Sequence, residues 1–63
     1  MNEALKQARL AKNLSQTELA KRIGVSRQTV NMIENSAYNP TVGLCIKICK
    51  ELGVTLSDLF WKE

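Results

Sequence analysis

The sequence predicts an all-α fold, a compact bundle of five short helices, and three observations carry that expectation. Apolar residues recur at helical spacing nearly throughout the 63 residues, no stretch alternates with the period of a strand, and turn signals cut the chain into five pieces. The length has room for one domain, residues 1–63. A domain this small buries only about 60% of the surface its unfolded chain exposes, so a very regular core or a partner subunit has to compensate.

The first helix is expected over residues 2–12, with Leu5, Ala8 and Ala11 inward and a stop near Asn13. Ser15 opens the second, and Glu18 three residues later completes a capping box in which side chains satisfy two orphan backbone donors. Leu19, Ala20 and Ile23 face inward, and Gly24 suits the left-handed conformation that follows a helix. After Val25, Ser26 caps a third helix that reaches Asn35, with Val30 and Ile33 inward. Residues 36–40 are polar and turn-rich, and Pro40 suits the run-in to another helix. Thr41 caps the fourth, whose inward stripe is Val42, Cys45, Ile48, Cys49 and Leu52. Gly53 ends it, Val54 and Leu56 fill in, and Ser57 caps a last helix over residues 58–61.

Composition narrows the function. There is no histidine, and two cysteines do not make a closed zinc site. No nucleophile stands beside a base and no glycine-rich loop suits a phosphate, so neither an enzyme nor a metal or cofactor is expected. Cys45 and Cys49 lie four apart on an apolar stripe and read as small buried residues. A redox-sensing pair is the sharper alternative, but only Lys47 and Lys50 stand near enough to lower a thiol pKa. No apolar run approaches the ~20 residues of a membrane span, and no signal-peptide pattern opens the chain, which predicts a soluble cytoplasmic protein. The formal net charge of +3 suits a polyanionic partner. Three scattered aromatics, Tyr38, Phe60 and Trp61, make neither a base-stacking platform nor a membrane-facing stripe, so duplex DNA is favoured over RNA or lipid.

The informative stretch is residues 16–35. Two short helices are joined by Gly24-Val25-Ser26, a connection tight enough for the second to cross the first steeply. Ala20 stands where the two approach most closely. The outward face of the second carries Arg27, Gln28, Asn31 and, more peripherally, Met32. Arginine bridges the two major-groove acceptors of guanine, glutamine and asparagine match the adenine edge, and methionine meets a thymine methyl.

The run Gln16-Thr17-Glu18-Leu19-Ala20-Lys21-Arg22-Ile23-Gly24-Val25-Ser26-Arg27-Gln28-Thr29-Val30-Asn31-Met32-Ile33-Glu34 resembles the Cro/C1-type, or XRE-type, helix-turn-helix family. Asn39-Pro40-Thr41, Ile48-Cys49 and Leu56-Ser57-Asp58-Leu59-Phe60 fit the same layout, so the likeness covers essentially the whole chain. It implies a lambda-repressor-like DNA-binding fold and a transcriptional regulator, a repressor, that binds double-stranded DNA sequence-specifically with its third helix in the major groove. Bacterial or phage origin follows from the likeness alone. Arg27, Gln28, Asn31 and Met32 would face base edges, Gln28 foremost. Gln16, Thr17, Ser26, Asn39, Thr41, Lys12 and Lys47 would touch phosphates, which fix register without reading sequence. Arg9, four after Leu5, and Glu34, four after Val30, would form a partly buried structural ion pair between the first and third helices.

One module of this size makes few base contacts, and such proteins usually bind palindromic operators as homodimers. Leu44 and Ile46 flank the core stripe on opposite sides, and Phe60 and Trp61 add large apolar surface, so these four are the candidate interface. The alternative is an antitoxin or accessory module on the same fold, whose main partner is another protein.

Overall fold

In the computed structural model, which describes residues 2–60, five helices follow one another: α1 (Glu3–Ala11), α2 (Gln16–Ile23), α3 (Arg27–Glu34), α4 (Val42–Leu52) and α5 (Leu56–Leu59). No strand occurs among the described residues. Each helix begins on a side chain that accepts a first-turn N–H: Asn2, Ser15, Ser26, Thr41 and Thr55.

One turn is used twice. Gly24-Val25-Ser26 ends α2 and starts α3, and Gly53-Val54-Thr55 ends α4 and starts α5. In both, glycine stands at positive φ, +77° at Gly24 and +68° at Gly53. The amide of the following valine donates to the last turn of the helix, Val25 to the Ala20 carbonyl at 3.0 Å and Val54 to the Cys49 carbonyl at 3.1 Å. Nothing lies within 4 Å of where a β-carbon on Gly24 would stand. Glycine is needed there for conformation and not for space.

Leu5, Leu19, Val30, Ile48 and Leu52 are fully buried at the centre, one or two from each of the first four helices. Leu14, Ala20, Ile23, Ile33, Cys49 and Leu59 complete the cluster, and Val25, Leu44, Val54, Leu56 and Phe60 pack against it half-buried. α2 packs on both α3 and α4, while α1 reaches α3 and α5. Asn2 locks that last arrangement. Its main-chain N–H donates to the Glu34 carbonyl at 2.7 Å, its side-chain amide donates to the Leu59 carbonyl at 3.1 Å, and its Oδ1 accepts from Leu5 N at 3.0 Å.

Three expectations need correction. Ala11 is exposed: two residues past the buried Arg9, it is turned by the 3.6-residue period to the opposite side of α1. Val42 is in phase with the α4 stripe yet 59% exposed, because the core takes up α4 only from Leu44 onward. The last helix is capped by Thr55 and not by Ser57, which lies inside it; Thr55 and Asp58 form a capping box. Asn35 closes α3 as its C-cap, where the sequence places the end of that helix.

Candidate nucleic-acid interface

α3 has one face committed to the interior and one to solvent. Val30, Ile33 and Glu34 are buried, whereas Arg27, Gln28 and Asn31 are exposed and Met32 is half-buried. The exposed three project from a helix whose other side is held by the core, so their main chain is positioned before any ligand arrives. Ser26 Oγ accepts from Thr29 N at 3.1 Å and lies 2.9 Å from the Thr29 hydroxyl, which fixes the start of that face.

Beneath it lies the ion pair. Arg9 Nε donates to Glu34 Oε2 at 2.7 Å and Arg9 Nη2 to Glu34 Oε1 at 3.3 Å. Arg9 Nη1 donates to the Leu14 carbonyl at 2.7 Å, and Gln16 Nε2 donates to Glu34 Oε1 at 3.1 Å. This network joins α1, the α1–α2 connection, the first residue of α2 and the last of α3. No side-chain polar atom buried among the described residues lacks a partner. A shallow cleft of about 120 Å³ opens over the network, lined by Lys6, Arg9, Gln16, Asn31, Glu34 and Asn35.

The remaining sites predicted from sequence lie on other elements and connections. Thr17, Asn39 and Thr41 are exposed, and Thr41 Oγ1 accepts from Leu44 N at 3.1 Å while keeping its own proton to donate. Lys47 is exposed on α4. Lys12 has a different neighbour: its ammonium lies 3.5 Å from where a β-carbon on Gly53 would stand, at the end of α4 opposite Thr41. There its charge meets the negative end of the helix dipole. Sequence gave Gln16 no tie to Glu34, since the two residues share no local motif. Nor did it single out Lys6 or Asn35, which the fold brings to the same cleft.

Of the candidate interface residues, Ile46 is 39% exposed, and Leu44 and Phe60 are half-buried against the core; Trp61 lies outside the described residues. Val42, one turn before Ile46 on α4, is exposed as well. Cys45 and Cys49 are buried free thiols, and burial pushes both above the ordinary cysteine range, which disfavours the reactive thiolate.

Relatives agree with this geometry. The helix-turn-helix family model matches residues 5–59. An uncharacterised helix-turn-helix-type transcriptional regulator of Methanocaldococcus jannaschii is 47% identical, over 100% of this chain and 96% of its own length. Antitoxin HipB of Escherichia coli is 39% identical over 87% of this chain and 65% of its own length. Relatives thus occur in an archaeon as well as a bacterium, so the likeness does not fix a bacterial or phage origin. Among solved structures, the restriction-modification controller protein C.AhdI of Aeromonas hydrophila superposes with a TM-score of 0.85 at 30% identity, covering 94% of this chain and 89% of that one. SinR, a master regulator of biofilm formation solved in complex with DNA, gives 0.83 at 29% identity, covering 92% and 97%. From its capped bihelical unit, its buried inter-helix network and these relatives alike, the chain belongs to the Cro/C1-type helix-turn-helix family.

Proposed function

We propose that this protein is a transcriptional regulator that binds double-stranded DNA sequence-specifically with α3 in the major groove. The observation that carries this is the division of α3: an exposed Arg27, Gln28 and Asn31 on a helix whose other face is locked into the core. These side chains present the donors and acceptors that base edges require. Gln28 is the foremost base contact, with Arg27 and Asn31 beside it and Met32 at the margin. Gln16, Thr17, Ser26, Asn39 and Thr41 hold flanking phosphates, with Lys12 and Lys47 adding charge.

Specific, tight binding by so small a module calls for two copies on a palindrome, and a bound dimer would repress by occupying the promoter. The candidate residues for contact with the second copy are Leu44, Ile46 and Phe60, with Trp61 from the sequence alone. The exposure of Val42 and Ile46 supports this choice.

Titration against a pool of random duplexes at two salt concentrations, with sequencing of the retained DNA, tests the whole proposal. Enrichment of a palindrome, with affinity falling steeply as salt rises, is the expected outcome. Failure to enrich any sequence would overturn it. The HipB likeness would then favour the second proposal, a module whose main partner is another protein.

A further inference from the structure

Asn31 on α3 and Asn35, the C-cap of that helix, stand one turn apart, both exposed. Asn35 Nδ2 lies 2.9 Å from the main-chain carbonyl oxygen of Asn31 and 3.2 Å from Asn31 Oδ1. A main-chain carbonyl only accepts, so the Asn35 atom facing it is the amide nitrogen. An amide nitrogen only donates, so the Asn31 atom facing that nitrogen is the carboxamide oxygen. One carbonyl therefore sets the polarity of both side-chain heads. The Asn31 oxygen is turned toward Asn35, and no described residue accepts from the Asn31 NH2 group.

We infer that Asn35 is a positioning residue that sets which base Asn31 reads. The inference rests on α3 being the base-reading helix. A freely rotating asparagine matches adenine, because the adenine edge needs one acceptor and one donor from the protein. The Asn35 bond turns the Asn31 oxygen along the helix toward Asn35 and takes one of its two lone pairs, so what Asn31 has free to offer the groove is its NH2 group, with two N–H donors. The complementary edge is guanine, whose O6 and N7 both accept. Asn31 thus prefers guanine over adenine, and the preference is built into α3 before DNA arrives.

The test is duplex selection with the wild type, Asn31→Ala and Asn35→Ala. The position whose preference collapses in Asn31→Ala is the one that Asn31 reads. In the wild type it should hold a G·C pair favoured about tenfold over A·T, the scale of one good base contact. Asn35→Ala should cut that ratio severalfold by freeing the Asn31 amide, while the other positions keep theirs. A loss of stability alone would lower affinity for every sequence and move no ratio. As a second readout, 7-deazaguanine at that position keeps the base pair and removes N7. It should weaken the wild type severalfold and leave Asn31→Ala unchanged.

An A·T pair at that position in the wild type, or an Asn35→Ala ratio equal to the wild type, would overturn the inference and leave DNA binding intact. If Asn31→Ala alters no position, both this inference and the base-reading role of Asn31 fall. If the wild type itself enriches nothing, the proposed function fails first.

Discussion

Arg9–Glu34 and Arg22–Glu51 are the same two side chains brought together in two surroundings. The first pair is closed at 2.7 Å with side chains 8% and 6% exposed, and both carboxylate oxygens accept from the guanidinium. The second meets at 3.5 Å with side chains 55% and 34% exposed. Water solvates either member of the outer pair whenever its partner swings away. Neither member of the inner pair has that recourse. Burial turns pairing from an option into a requirement, and the structure meets it by adding the Leu14 carbonyl and the Gln16 amide to the network.

The largest expected effect therefore comes from breaking the inner pair. Glu34→Ala should cost about 3–5 kcal/mol, read from the urea midpoint, by leaving the Arg9 charge buried and uncompensated. Removing both charges in Arg9→Met with Glu34→Leu should cost less than Glu34→Ala alone. Equal losses would mean that the hydrogen bonds to Leu14 and Gln16 matter more than the uncompensated charge.

A carboxylate of a third kind comes next. Glu18 is exposed but accepts the Ser15 main-chain N–H at 2.9 Å, and this bond holds its carboxyl below the usual range. Ser15→Ala, which removes the reciprocal half of the capping box, should cost about 1 kcal/mol. Because the folded pKa of Glu18 is depressed, its stabilisation is complete above the unfolded value and is lost as pH falls through the folded one. Thermal melts of Glu18→Gln should lack that part of the acid dependence. Smallest is the outer pair: Arg22→Ala should change stability by about 0.2–1 kcal/mol, and the difference should vanish in about 1 M salt. A larger, salt-resistant loss would contradict the comparison.

What the sequence made legible was mostly local. Ser15 with Glu18, Gly24, Ser26, Thr41 and Gly53 each act within a few residues of their own position, so their types announced the helix ends. Thr55 could have been read the same way, since Gly53-Val54-Thr55 repeats Gly24-Val25-Ser26. Ser57 misled because a hydroxyl alone does not say which of two nearby positions is the cap. Val42 shows the limit of periodicity: phase tells which way a residue points, not whether another helix waits there. For the site, the outward set Arg27, Gln28 and Asn31 follows from the period of α3. The Gln16–Glu34 hydrogen bond depends on elements meeting, and the Asn35–Asn31 bond, local in its four-residue spacing, depends on rotamers that residue types do not fix.

Asn2 connects to Leu59 across a separation of 57 residues, so its contact closes nearly the whole chain into a loop. A contact of that separation is expected to close late in folding. We expect α1 and α5, which this contact ties together, to dock together and to detach together. Native-state amide exchange should show these two helices opening together at a lower free energy than the α2–α4 unit. The inner ion pair also belongs to that final step, because it fastens α1 to α3. Its loss is accordingly a kinetic event: Glu34→Ala should speed unfolding and leave the rate of folding nearly as it was.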